Sequence, residues 1–282
     1  MNAPAFDLAS VHKAIANTRF AGKLEHFESI GSTNLHAVEA AGGDNGAPDG
    51  SVYIADQQIA GRGRGGHSWH SAPGDGLYLS VLLRPHQMAM ADALWLSLST
   101  GLAAQRAIHQ TTSLTPDIRW PNDLLLGGGP DSRKVGGILV ESASTPSQAS
   151  EPARLRFAVI GIGINVNHEA FPAELAHLAT SLRRETGQPH ARETLLQNLL
   201  LALDDEIYAL ELELRNQLPA PQAGLLDRFT AASTWVRGKR VRVDEAGGYT
   251  GETAGLDARG FLRVAGDDGT LHTVLSGGVR PE

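Results

Sequence analysis

The chain has 282 residues, 41% of them hydrophobic, and its 31 acidic side chains outnumber 24 basic ones for a formal net charge of −7. That size suits one main domain with a small appendage; the apolar content excludes a disordered chain, and the acidic balance weighs against sequence-tolerant binding to nucleic-acid phosphates. With no cysteine present, disulfides, thiolate zinc sites and cysteine nucleophiles are excluded together.

The N-terminus, MNAPAFDLASVHKAIANTRF, has no signal-peptide core, and no apolar run approaches the roughly 18 to 20 residues that span a bilayer. A soluble, cytoplasmic protein without a membrane partner is expected. Residues 7–18 are predicted as a short helix with Leu8, Val11 and Ile15 on one face. Too little chain precedes Ser32 for a helix-turn-helix domain, so no DNA partner is expected. Ser32-Thr33-Asn34 stands before a helix-like stretch, LHAVEAAGG, where such residues make good N-caps. Strands are predicted at 51–56, 77–84, 117–120, 134–142 and 155–164, bounded by Gly, Pro and Asp clusters. Residues 88–110 read as one amphipathic helix. A second runs from about Ala191 to Arg215, its Leu195, Leu199, Leu203, Ile207, Leu210 and Leu214 forming a stripe. Packing on the main sheet is the expectation for that stripe, a partner-binding face the alternative.

Residues 127–132 and 144–152 read as exposed loops. Near Trp235 the character changes: KRVRVDE, YTGETAGLD, GFLRVAG and TLHTVLSG alternate with Gly- and Asp-rich turns, the pattern of a small antiparallel barrel leaning on the main domain. The expected division is a main domain over 1–232 and a barrel over 233–282.

The densest chemical signal runs from Gln58 through Gly61-Arg62-Gly63-Arg64-Gly65-Gly66-His67 to Trp69. It imitates both a dinucleotide fingerprint and a P-loop, yet the following HSWHSAPGDG cannot be the helix that either motif requires. Its physics still suits an anion. Glycines let backbone approach a ligand, arginines pair bidentately with carboxylate or phosphate, and Trp69 offers a flat face. A flexible loop with solvated arginines is the alternative.

Arg119-Trp120-Pro121-Asn122-Asp123 ends a predicted strand, and Lys134-Val135-Gly136-Gly137-Ile138-Leu139-Val140-Glu141 begins another. Lys134 is either a solvated strand end or an ammonium aimed at a ligand over bare glycine backbone. Gly161-Ile162-Gly163-Ile164-Asn165 closes a further strand, suggesting close backbone approach with Asn165 reserved for hydrogen bonding or satisfied by a turn. His67, His70 and His86 lack a metal-binding spacing, so no protein metal site is expected. No nucleophile elbow occurs.

In this order, Ser32-Thr33-Asn34, the Gln58–Trp69 run, the Arg119–Glu141 segments and Gly161–Asn167 resemble the biotin protein ligases. The closing segment, punctuated by Gly251, Gly255, Asp257 and Gly260, looks like the SH3-like domain that ends many of them. The resemblance covers the chain from about residue 25 onward. It implies an α+β fold: a mixed β-sheet with helices packed on it, class II synthetase-like, followed by a small SH3-like β-barrel. It also implies an ATP-dependent ligase that forms biotinyl-5'-AMP, releases pyrophosphate and passes biotin to a lysine of a biotin carboxyl carrier protein.

The implied biotin site comprises Ser32, Thr33, Asn34, Gln58, Arg62, Gly63, Arg64, Lys134, Gly136 and Gly137. The implied adenylate site comprises Arg62, Arg64, Trp69, Asn122, Lys134 and Asn165. Lys134, Arg62 and Arg64 would neutralise charge alongside Mg2+ carried on the ATP phosphates, and Asp123 would orient or deprotonate the acceptor lysine. Gly65 and His67 stand where the family often has arginine, implying looser loop closure. The rivals are a lipoate or octanoate ligase or acyltransferase, and a non-catalytic biotin or nucleotide sensor. A homodimer through the sheet edge stays open.

Overall fold

A computed structural model of the chain describes residues 6–42, 46–145, 153–217, 223–245, 247–276 and 278–282. Helix α1 (Leu8–Ala14) begins at Asp7, whose side chain accepts from the Ser10 N–H. Its Val11, with Ile15 just beyond its end, is fully buried. Strand β1 (Leu24–Phe27) leads to α2 (Thr33–Ala41), which Ser32 caps by accepting from the Leu35 N–H. Strands β2 (Ser51–Ala55) and β3 (Gly76–Leu83) are buried at every position. There follow α3 (Ala93–Thr112), β4 (Asp117–Arg119), β5 (Asp123–Leu126), β6 (Arg133–Ser144) and β7 (Leu155–Asn165). Helices α4 (Leu182–Thr186), α5 (Arg192–Leu214) and α6 (Leu225–Ala232) complete the first part.

The seven strands form one mixed sheet in the order β1-β2-β3-β7-β6-β5-β4, parallel between β1 and β2 and antiparallel elsewhere. Alternation along β3 sends Leu77, Leu79, Val81 and Leu83 into the core under α1, α3 and α5. Leu82 points the other way, under α2, with Tyr53, Phe157 and Val159. Ser80, two residues from Leu82, shares that second face. Both faces are covered, which is why β3 carries almost no polar residue.

The last five strands, β8 (Arg237–Val243), β9 (Tyr249–Leu256), β10 (Leu262–Gly266), β11 (Leu271–Val274) and β12 (Val279–Pro281), form an antiparallel sheet in the order β11-β10-β9-β8-β12. Its Val241, Val243, Leu262 and Val264 belong to the same apolar cluster as the main core. Trp95 and Trp120 donate their ring N–H groups to the carbonyls of Arg259 and Gly260, each at 2.9 Å. An α+β architecture with a mixed sheet is therefore what the sequence folds into.

Several expectations change in detail. Strands β1 and β5 had no counterpart in the sequence reading. The helix expected from 88 begins at Ala93, because the Met90 N–H donates to Ala153 O and a 3-10 turn over Met90–Asp92 intervenes. It ends at Ser113, in left-handed conformation at φ 63°. The stripe on α5 packs as core, with only Leu214 partly exposed at 37%. Residues 127–132 do form a loop between β5 and β6, with Gly127 and Gly129 at positive φ. Of the loop expected at 144–152, residues 146–152 lie outside those described.

Candidate functional site

The face of the sheet not covered by α3 and α5 carries a cleft, open to solvent, beside the N-terminus of α2. Its wall brings together Ser32, Thr33, Asn34, Gln58, Arg62, Gly63, Arg64, Trp69, Asn122, Lys134 and Gly137 from four separate segments of chain. Gly161 and Gly163, where the sequence suggests close backbone approach, line it as well, with Ser80 and Leu139, for which it suggests no such role.

Cross-strand register explains that choice, since paired residues share a face. Ser80 pairs with Gly161, and Gly161 with Leu139; Gly163 pairs with Gly137, and Gly137 with Asp123. Gly136 must then point away, and a Cβ there would meet Leu124 Cδ1 at 2.9 Å rather than the cleft. Thus only the second glycine of the pair faces the ligand space. A Cβ on Gly163 would lie 2.5 Å from Trp69 Cε2, and one on Gly137 would lie 3.1 Å from Trp69 Cζ3. The indole is seated on bare backbone, which is what these glycines provide.

Deep in the cleft, buried polar groups form a row. Gln58 Oε1 accepts from the Thr33 N–H at 2.9 Å and lies 3.1 Å from the Thr33 hydroxyl, while Gln58 Nε2 donates to Ser71 Oγ at 3.2 Å. Ser80 Oγ lies 2.8 Å from Thr33 Oγ1 and 2.9 Å from Asn34 Oδ1. Asn34 Nδ2 donates to Glu141 Oε2 at 2.6 Å. Ser32 caps α2, as its residue type predicts, and also lines the cleft.

At the other end the site is cationic. Lys134 Nζ sits 2.5 Å from Asp123 Oδ1 and 5.3 Å from the centre of the Trp69 ring. Arg119 Nη2 takes the other oxygen of Asp123 at 2.6 Å, its guanidinium lying 5.5 Å over Trp235. Burial pushes the Asp123 pKa up, but Lys134 and Arg119 outweigh it and hold the carboxyl below its ordinary range. Burial lowers the Arg64 pKa against the pull of Asp123 and Glu245. A guanidinium stays charged regardless, and among the described residues no carboxylate pairs with Arg64 within 4 Å. Trp69 Nε1 is likewise buried without a partner there. A ligand bearing an anion and acceptor atoms would satisfy both.

The Gly-Arg run makes a short 3-10 turn, Arg64–Gly66, and then extends, with no α-helix after it. Gly65 and Gly66 take positive φ of 65° and 81°. Asp123 stands behind Lys134 rather than on the cleft wall, and Asn165 is buried behind it, donating to Thr180 O at 3.0 Å. Among the described residues no three His, Asp or Glu side chains are grouped to hold a metal. No described helix is long and apolar enough to cross a membrane.

Residues 27–165 match the model of the family described as "Biotin/lipoate A/B protein ligase family". The "Bifunctional ligase/repressor BirA" of Bacillus spizizenii is 38% identical over 183 residues, 64% of this chain and 52% of that protein. The chain thus spans about half the length of this relative and of its Bacillus subtilis counterpart. A "Biotin--[acetyl-CoA-carboxylase] ligase" of Mycobacterium tuberculosis is 33% identical over 254 residues, 88% of this chain and 82% of that one. The solved structure of biotin protein ligase from Aquifex aeolicus in complex with biotin and ATP covers 93% of this chain and all of its own at a TM-score of 0.72, with 25% identity.

Proposed function

We propose that this chain, which belongs to the biotin/lipoate A/B protein ligase family, is an ATP-dependent biotin protein ligase that biotinylates a lysine of a biotin carboxyl carrier protein. One observation carries the reading: a buried row of hydrogen-bonding groups fit for a polar ring lies in the same cleft as Arg62, Arg64 and Lys134. The names of the relatives and the biotin- and ATP-bound Aquifex structure support the same choice.

In this reading Ser32, Thr33, Asn34 and Gln58 receive the ureido ring, and Gly137 leaves room for Trp69 and Lys134 to close on the rest of the ligand. The carboxylate then extends toward Lys134. Being ionised at neutral pH, it needs no base to attack the α-phosphorus of ATP. The obstacle is repulsion between anions, and Arg62, Arg64 and Lys134 counter it while pyrophosphate leaves. Mg2+ would arrive on the ATP phosphates. Trp69 and Asn122 hold the adenylate, with Asn165 supporting the wall behind it.

In the second step the acceptor lysine gives up its proton, attacks the mixed anhydride and displaces AMP. Both oxygens of Asp123 are engaged and its pKa is depressed, which makes it a poor base. Its role is to hold Lys134 in place. The 233–282 segment is read as an SH3-like barrel appended to a catalytic domain over 1–232.

Biotin-dependent pyrophosphate release from ATP and magnesium tests the reading. Lys134→Ala should lower its rate by about two to three orders of magnitude. Release with lipoate or octanoate but not biotin would refute the substrate, and binding without release would mark a sensor.

A further inference from the structure

Glu141 lies on the cleft face of β6 two residues beyond Leu139, yet it does not line the cleft. Its carboxylate is divided between two neighbours. Oε2 accepts from Asn34 Nδ2 at 2.6 Å, and Oε1 lies 3.2 Å from Arg62 Nη1. One side chain of the sheet thereby touches both the floor of the cleft and the Gly-Arg loop.

An ionised carboxylate can only accept hydrogen bonds. Asn34 must therefore turn its NH2 toward Glu141, which leaves Oδ1 facing Ser80. A Cβ at Gly161 would stand 2.5 Å from that same Oδ1, so the amide is packed against bare backbone in this orientation. The other bonds run in a consistent direction. Ser80 has one hydroxyl proton and gives it to Asn34 Oδ1, so Ser80 Oγ accepts from the Thr33 hydroxyl, Gln58 Oε1 is left with the Thr33 N–H, and Gln58 Nε2 donates to Ser71. Without a fixed acceptor at its end, a row of amides and hydroxyls can run in either direction. Only one of the two presents a given ligand with matching donors and acceptors.

We propose that Glu141 is a positioning residue for ligand recognition: it sets which atoms of the Asn34–Ser80–Thr33 row donate and which accept, and it ties Arg62 to the sheet. The inference rests on the ligase reading of the cleft, in which that row meets the polar ring of biotin.

The test compares Glu141→Asp with Glu141→Gln by steady-state pyrophosphate release. Gln matches the native shape but can turn a donor toward Asn34; Asp is shorter by a methylene but still only accepts. For Glu141→Gln, KM for biotin should rise about tenfold or more. KM for ATP should move less than about threefold. Glu141→Asp should lie between wild type and Gln. A role in packing alone would reverse that order, and the reversal, or an unchanged biotin KM, would overturn the proposal. Should Glu141→Gln not fold, Glu141→Asp against Glu141→Met keeps the test: Met keeps the length but accepts no bond from Asn34, so packing alone would favour Met and the acceptor role favours Asp. Release with lipoate in place of biotin would remove the substrate reading, and the same ordering measured with lipoate would then decide on Glu141.

Discussion

Replacing Asp123 by Asn keeps the shape of β5 and removes the charge shared by Lys134 at 2.5 Å and Arg119 at 2.6 Å. The carboxylate is only 16% exposed, so both contacts operate away from bulk water. A hydrogen bond to a charged group contributes about 1.5–3 kcal/mol, and the partial exposure of Lys134 draws its share to the lower end. A loss of about 3 kcal/mol in unfolding free energy at pH 7 is expected, read from urea denaturation.

The pH dependence has a definite sign. Burial raises the Asp123 pKa, but Lys134 and Arg119 lower it further, so the folded value lies below the unfolded one. The stabilisation is then complete above roughly pH 5 and fades as the pH falls through the folded value. The difference between wild type and Asp123→Asn should be constant near neutrality and shrink in acid.

Catalysis separates two roles for the same residue. If Asp123 holds Lys134, its loss slows adenylate formation, by about a hundredfold for a displacement of an ångström. If it is a base for the acceptor lysine, adenylate formation survives and only transfer suffers. A variant that makes adenylate at the wild-type rate and unfolds at the wild-type urea concentration would refute the positioning argument.

Gly163→Ala would put a methyl 2.5 Å from the Trp69 ring; it should displace the indole and cost about 1–3 kcal/mol of stability, visible as a fluorescence shift and a raised KM for ATP. The two departures from the usual arginine pattern are not equivalent. His67 has extended backbone, at φ −69° and ψ 150°, and His67→Arg should slow release of the adenylate in a filter-binding assay. Gly65 sits at φ 65°, where a side chain costs about 1–2 kcal/mol, so Gly65→Arg should destabilise the loop and give less retention.

What was legible in the fold follows from how many residues carry each signal. Strand β3 and helix α5 are long and periodic, and both stand where the apolar pattern puts them. Strand β1, LEHF, has four residues at the sheet edge, none of them fully buried, and so leaves little apolar trace. Strand β5, DLLL, is an apolar run too short to separate from a loop crossing the core. The start of α3 was misplaced because Met88 is buried by tertiary contact while its segment bonds to Ala153 and Leu155 instead of turning helical.

The site divides along a different line. Residue types with conspicuous chemistry in unusual settings, such as Arg62, Arg64, Lys134 and Gln58, could be named from the sequence, and they meet in one cleft. The two-residue period of a strand also contained more than was taken from it, since Gly136 and Gly137 cannot both face one ligand. Ser80 sits inside LYLSVLL, where a lone serine reads as a buried hydroxyl. Its partners come from α2, and nothing local announces them. Glu141 closes the apolar run of β6 and looks like an ordinary solvated strand end. Its amide partner Asn34 is 107 residues away, and the two meet only because β6, β7 and β3 align Leu139, Gly161 and Ser80 across one face beneath α2. Motifs therefore disclose groups of conspicuous chemistry that line the cleft, whereas the groups packed behind them depend on strand register, which no local spacing encodes.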